Sequence, residues 1–343
     1  MGFGRTQQTR GFTAIRRALL NVLLAVLSLT ALHGCAATER VDAARDDYAL
    51  ATACVNKADL DACQRACDVR IRSGCYQLGA AYRDGAGVEA DIVRAYREFE
   101  RACELGDATA CAEVGYMAQR GQGTNQDPAR AVRYFRRACD ANQPTACANL
   151  GIAYQLGTVV PLDLLRASQL YQRACAGGDP SGCGNLGYLM QHGIGVARSP
   201  LRARELYEQG CAGGHLPSCG NLAIMAVDGV AGAKEPNRAS KLFLTACEGG
   251  IAESCSNLGV LYEQGLGVPK DLEKARKLFE QGCDAGVADG CIALGGLYER
   301  GAGVDVDLVR ARRFYRRACA ADDKVGCARL ARLEQPAPAP ERP

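Results

Sequence analysis

Residues 255–283 read CSNLGVLYEQGLGVPKDLEKARKLFEQGC, and this stretch decides the fold. Leu258, Gly259 and Tyr262 stand three, four and seven residues after Cys255. That spacing is one face of a helix, here called helix A. Gly265-Leu266-Gly267 then makes a glycine-rich turn. Asp271 is a good N-cap for a second helix, B. Within B, Ala275, Phe279 and Cys283 stand four apart, again a single stripe. Gly286 suits the left-handed position just past the end of B.

The same grammar restarts every 36 residues. Its first cysteines are Cys67, Cys103, Cys139, Cys175, Cys211, Cys247, Cys283 and Cys319. Each has a partner eight positions later: Cys75, Cys111, Cys147, Cys183, Cys219, Cys255, Cys291 and Cys327. A fixed period of this kind means stacked repeats forming one elongated domain. So many cysteines at such spacing belong to an oxidising compartment. Metal sites would call for C-x2-C spacing and histidines, and only His192 and His215 lie beyond residue 34. The expected pairing is i, i+8 throughout. Cys54 and Cys63 lie off this ladder; a ninth bridge joins them in the expected arrangement, with Cys63 pairing elsewhere as the alternative. Each ladder bridge ties the end of one helix B to the start of the next helix A. It closes a loop of about nine residues, worth roughly 2.5 kcal/mol by chain entropy. A stack of repeats has only neighbour contacts, so such staples matter.

Three further positions recur. The third residue after each second cysteine is Leu78, Val114, Leu150, Leu186, Leu222, Leu258, Leu294 or Leu330. Eight before each first cysteine from Cys103 onward stands alanine, from Ala95 to Ala311. Four before it stands an aromatic: Phe99, Phe135, Tyr171, Tyr207, Phe243, Phe279 or Tyr315. Alanine lets helices approach and the aromatic fills the space between layers, so these are core positions. The first loop glycine recurs from Gly85 to Gly301. Gly157-Thr158-Val159-Val160-Pro161 lacks the second glycine, and the loop Gly229–Pro236 is shifted, so a local change of curvature is expected there.

The formal charge of +3 misleads. Arg5, Arg10, Arg16 and Arg17 lie in residues 1–34, which contain no acid. Without these four of the 41 basic residues, 37 remain against 38 acidic ones. Nucleic-acid binding needs a basic footprint and is excluded on that ground. The basic stretch is followed by an apolar run, Ala18–Leu32, too short for a comfortable membrane span. It reads as a signal peptide. Leu32-His33-Gly34-Cys35 resembles a bacterial lipobox, although His33 replaces the usual small residue, and makes Cys35 the expected lipidation site. The alternative is an ordinary signal peptidase site nearby; Arg16-Arg17 also allows twin-arginine export. The expected organisation is a signal peptide over 1–34, a lipid-anchored linker over 35–47 and a helical cap over 48–74. Seven repeats over 75–323, a cap helix over 324–334 and a disordered Pro/Ala-rich tail over 335–343 follow. The expected location is the bacterial cell envelope, as a periplasmic or outer-membrane lipoprotein, with secretion as the alternative.

The motif A-C-x-x-L-G-x-x-Y-x-x-G-x-G-V, then D-x-x-x-A-x-x-x-F-x-x-A-C, resembles the Sel1-like repeat, a relative of the tetratricopeptide repeat. The cysteines at each helix junction look like those of the Helicobacter cysteine-rich protein family. The resemblance covers about 75–330. It implies an all-α fold, a right-handed α/α superhelical solenoid of disulfide-linked repeats with a concave groove. It also implies an adaptor role, or the weak penicillin-binding, β-lactamase-like hydrolysis ascribed to the cysteine-rich family. The residues themselves show no catalytic motif. No serine has lysine three positions on, as serine β-lactamases require, and His192 and His215 sit in no zinc motif. No cofactor is called for.

Counted from its cysteine, positions +2, +5 and +9 of helix A lie off the core stripe and are expected to line the concave side. Position +2 carries Asn149, Asn185, Asn221 and Asn257. Position +5 includes Tyr116, Ile152, Tyr188 and Ile224, and position +9 includes Arg120 and His192. A primary amide both donates and accepts, so it can bracket a peptide bond. Such a row with apolar neighbours suits an extended peptide from an envelope protein or from the cell wall. A β-lactam, which mimics a cell-wall peptide terminus, would fit the same groove. The alternative is that these asparagines bond within the fold.

Overall fold

The computed structural model describes residues 49–335, apart from 51 and 55–58. The expected signal peptide, Cys35 with its expected linker, and the expected tail past residue 335 lie outside the described residues. All regular structure among the described residues is helical. In chain order the helices are α1 (Leu60–Asp68), α2 (Arg72–Asp84), α3 (Ile92–Glu104), α4 (Ala108–Arg120), α5 (Pro128–Asp140), α6 (Pro144–Leu156), α7 (Leu164–Ala176), α8 (Pro180–His192), α9 (Pro200–Ala212), α10 (Leu216–Asp228), α11 (Pro236–Glu248), α12 (Ala252–Gln264), α13 (Leu272–Asp284), α14 (Ala288–Arg300), α15 (Leu308–Ala320) and α16 (Lys324–Glu334). Even-numbered helices are type A, odd-numbered ones type B. The chain forms two compact units, residues 1–127 and 128–343.

Local sequence sets each boundary. Asp91, Asp163, Asp271 and Asp307 cap α3, α7, α13 and α15 by accepting backbone N–H groups of the first turn. Every helix A from α2 to α14 ends on a glycine with φ between 65° and 74°, a conformation that costs other residues the clash of Cβ with the following carbonyl. The B-to-A junctions need a left-handed residue too. Gly106, Gly178, Gly214, Gly250 and Gly286 supply it, but Arg70, Asn142 and Asp322 take the same place with φ of 66°, 63° and 59°. The shifted loop also departs locally: Ala231 adopts φ 59°. It is tied down by an ion-pair network in which Arg204 bonds Glu235 and Arg238 bonds Glu208.

The ladder is formed as the spacing predicts. Cysteine pairs bridge Cys67–Cys75 through Cys319–Cys327, and Cys54 pairs with Cys63. The alanine and aromatic rows are all at most 2% exposed. Phe99, Tyr171, Tyr207, Phe279 and Tyr315 each rest on a glycine of helix A, whereas Phe243 packs with Ala223. A Cβ built on Gly151 would fall 2.6 Å from the Tyr171 ring, and one on Gly259 would fall 2.7 Å from Phe279. Where the aromatic is tyrosine, helix A provides an acceptor for its hydroxyl: Tyr171 donates to Gln155, Tyr207 to Gln191 and Tyr315 to Glu299. A second recurring link joins neighbouring helices B. Arg101, Arg173 and Arg317 donate to the carbonyls of Cys67, Cys139 and Cys283, one repeat earlier. A guanidinium at a helix C-terminus is also favoured by the helix dipole.

Candidate functional site on helix A

In the second unit, helix A of one repeat also meets helix A of the next: α6 with α8, α8 with α10, and α12 with α14. No pair of successive helices B meets as closely. Helices α6 and α8, and α8 and α10, are therefore neighbours, and what they present follows from the register. Positions +3, +4 and +7 turn inward: Leu150, Leu186 and Leu222 are at most 5% exposed. Positions +5 and +9 turn outward. Tyr188 is 42% exposed, Ile224 is 40% and Leu156 is 63%. Ile152 is half-buried and His192 exposed, its ring 4.6 Å from that of Tyr188.

The four asparagines of position +2 are half-buried, each one residue from the core leucine. Two have partners in the fold. The Asn149 amide donates to the Thr145 carbonyl at 3.0 Å. Burial pushes the Tyr207 phenol up, the neighbouring Tyr188 adds to this, and a hydrogen bond with Asn221 offsets part of it. The asparagine row thus sits at the seam between core and surface, beside the exposed apolar residues. In the first unit, Tyr116 is half-buried on α4 with the Arg120 guanidinium 5.6 Å above its ring. There the equivalent residues of α2, Gln77, Ala80 and Asp84, line a cavity of about 190 Å³ with Leu60 and the Cys54–Cys63 bridge.

Two other constellations invite a chemical reading. His215 Nδ1 lies 2.8 Å from Ser218 Oγ, and burial holds the imidazole below its ordinary value while Asp179 pulls the other way. The pairing looks like that of a hydrolase, but Ser218 is 0% exposed and meets no substrate. His215 occupies the N-cap place that Asp107 and Asp179 hold in other repeats, but its side chain meets the Ser218 hydroxyl instead of a backbone N–H of the first turn. Cys67, Cys75 and Glu98 also converge. The two sulfurs are bonded to each other, which leaves no thiolate for a metal.

Comparison with known proteins agrees with this geometry. The Sel1 repeat model matches six 36-residue segments: 72–107, 108–143, 144–179, 180–215, 252–287 and 288–323. The intervening residues 216–251 fold as α10 and α11 with the same helix lengths. No curated protein matches. Among solved structures, c5321, a protective antigen of uropathogenic Escherichia coli displaying an SLR fold, is similar at TM-score 0.67 and 26% identity, covering 80% of this chain and 59% of that one. This chain thus spans under two thirds of that antigen's length. A Sel1 repeat protein from Oxalobacter formigenes gives TM-score 0.62 at 21% identity, covering 70% of this chain and 96% of that one. Helicobacter pylori cysteine rich protein B is 31% identical over 40% of this chain and 99% of its own, with TM-score 0.32. With six matched segments covering well over half of its length, the chain belongs to the Sel1 repeat family.

Proposed function

We propose that this protein is an exported, lipid-anchored scaffold that holds an extended peptide segment along the helix-A face of its second unit. The observation that carries the reading is the outward apolar row Leu156, Tyr188 and Ile224, flanked by half-buried asparagines on helices that meet side by side. The side on which successive helices approach most closely is the inside of a curve, and an inner face suits an elongated ligand. Apolar side chains of the ligand would cover Tyr188 and Ile224. Asn185 and Asn257, together with whatever amide capacity Asn149 and Asn221 retain, would meet its backbone. Envelope-protein segments and the stem peptide of the cell wall are the ligand classes that fit an oxidising location, which the disulfide ladder supports.

The chain contains no tryptophan, so Tyr188→Trp places a single indole reporter on this face. Its emission should shift on titration with stem peptide or with extended envelope peptides, while Leu201→Trp on α9 should stay silent. Equal shifts at both positions, or none at either, would refute the reading. Anchoring at Cys35 is tested separately: Cys35→Ala should move the protein from the membrane fraction to the soluble exported fraction.

A further inference from the structure

The disulfides are not equally shielded, and the difference follows one residue. In the link between neighbouring helices B, the residue two before a ladder cysteine lies over the bridge of the preceding repeat. It is arginine at Arg101, Arg173 and Arg317, and the cysteines beneath, Cys67, Cys139 and Cys283, are at most 1% exposed. It is Gln209, Thr245 and Gln281 in the intervening repeats. There Cys175, Cys211 and Cys247 are part-exposed, although their partners Cys183, Cys219 and Cys255 remain buried. The Gln209 carbonyl oxygen stands 3.5 Å from Cys175 Sγ, alongside the sulfur and without an arginine's bond to the helix end.

We propose that Cys175, Cys211 and Cys247 are thiol-exchange sites, open to attack by a low-molecular-weight thiol or a dithiol reductant, and that arginine at the covering position closes the other bridges. The incoming thiolate bonds to Cys175 Sγ while the Cys175–Cys183 bond breaks and its electron pair leaves on Cys183 Sγ. The leaving sulfur lies in the first turn of α8, where a helix N-terminus favours a thiolate. Cys219 in α10 and Cys255 in α12 occupy the same place. A second external thiolate then attacks the mixed disulfide, freeing Cys175 as its thiolate. The bridge gains two electrons and the two external thiols become a disulfide.

Two effects of the covering arginine oppose each other. Its charge stabilises a departing thiolate and accelerates exchange a few-fold. Its bulk denies the attacking sulfur any approach unless the helix end opens first, and such opening lowers rates by orders of magnitude in packed regions. Access therefore dominates, and the bridges under glutamine or threonine react first. Cys319, with no later helix B above it among the described residues, is part-exposed and joins the fast class.

The test is limited exposure of the oxidised full chain to reduced glutathione, acid quenching, alkylation and peptide mapping. Adducts at Cys175, Cys211 and Cys247 should accumulate about tenfold faster than opening of Cys67–Cys75, Cys139–Cys147 and Cys283–Cys291. Gln209→Arg should slow Cys175 into the protected class, and Arg173→Gln should bring Cys139 into the fast one. Uniform loss of all bridges, or swaps that leave both rates unchanged in variants of wild-type helicity, would overturn the proposal. Arg173→Gln keeps the test open if Gln209→Arg misfolds.

Discussion

Gly295 and Gly296 are neighbours in the middle of α14, and replacing each by alanine should change stability in opposite directions. Alanine gains roughly 1 kcal/mol over glycine in a helix interior. At Gly295 the new Cβ would lie 2.7, 2.9 and 3.1 Å from three atoms of the Tyr315 ring. That ring cannot retreat easily: it is 0% exposed and its hydroxyl donates to Glu299 at 2.7 Å. Overpacking of this kind costs about 1–3 kcal/mol, so Gly295→Ala should lose about 1 kcal/mol net. At Gly296 the only close atoms belong to the Arg300 guanidinium, the nearest at 2.9 Å. That side chain is 53% exposed and pairs with Glu263, an interaction worth between zero and about 1 kcal/mol. Gly296→Ala should therefore gain about 0.5 kcal/mol. Urea unfolding of the oxidised protein followed by circular dichroism resolves the difference. If both variants shift the midpoint the same way, helix propensity outweighs packing and the aromatic-on-glycine account of the repeat is wrong.

Arg70 holds a left-handed conformation that glycine supplies in five other repeats; Arg70→Gly should raise stability by about 1 kcal/mol, read as a higher urea midpoint. His215 is kept below its ordinary value of 6.5 by burial. The unfolded chain then binds the proton more readily, so this contribution is complete above that value and falls away as pH drops through the folded value. His215→Asp, matching Asp179, should flatten that part of the stability profile below about pH 6.5, and an unchanged slope would contradict it.

The parts of this structure that repeat within one helix pair were legible in the sequence. Asp271 announced a cap, Gly286 a left-handed junction, and Cys283 with Cys291 a bridge, because each depends on residues a few positions apart. What escaped depends on contacts across a full period. Nothing near Arg173 marks it as the donor to Cys139, and its role emerges only when helix B stacks on helix B. The match between Tyr171 and Gln155, against Phe279 and Glu263, reads as surface variation until the hydroxyl's position is known. Left-handed Ala231 and Asn142 were hidden because glycine is the usual signal for that conformation and neither is glycine. On the candidate face, the register placed Leu150, Leu186 and Leu222 in the core of α6, α8 and α10. It could not reveal that the Asn149 amide turns back to Thr145, since a helical asparagine chooses between solvent and the carbonyl one turn earlier.

The most direct test of the peptide-holding face compares two equally apolar surfaces of one protein. Leu156, Tyr188 and Ile224 lie outward on helices A, while Leu165, Leu201 and Val309 are 60%, 62% and 74% exposed on helices B. Changing either set to serine removes similar apolar area and, at such exposure, should cost little stability. Affinity for the tightest-binding stem or envelope peptide, measured by calorimetry, should fall at least about tenfold in the Leu156/Tyr188/Ile224 variant and stay at the wild-type value in the Leu165/Leu201/Val309 variant. Loss in the second with retention in the first, or an equal loss in both, would contradict the helix-A face as the binding surface.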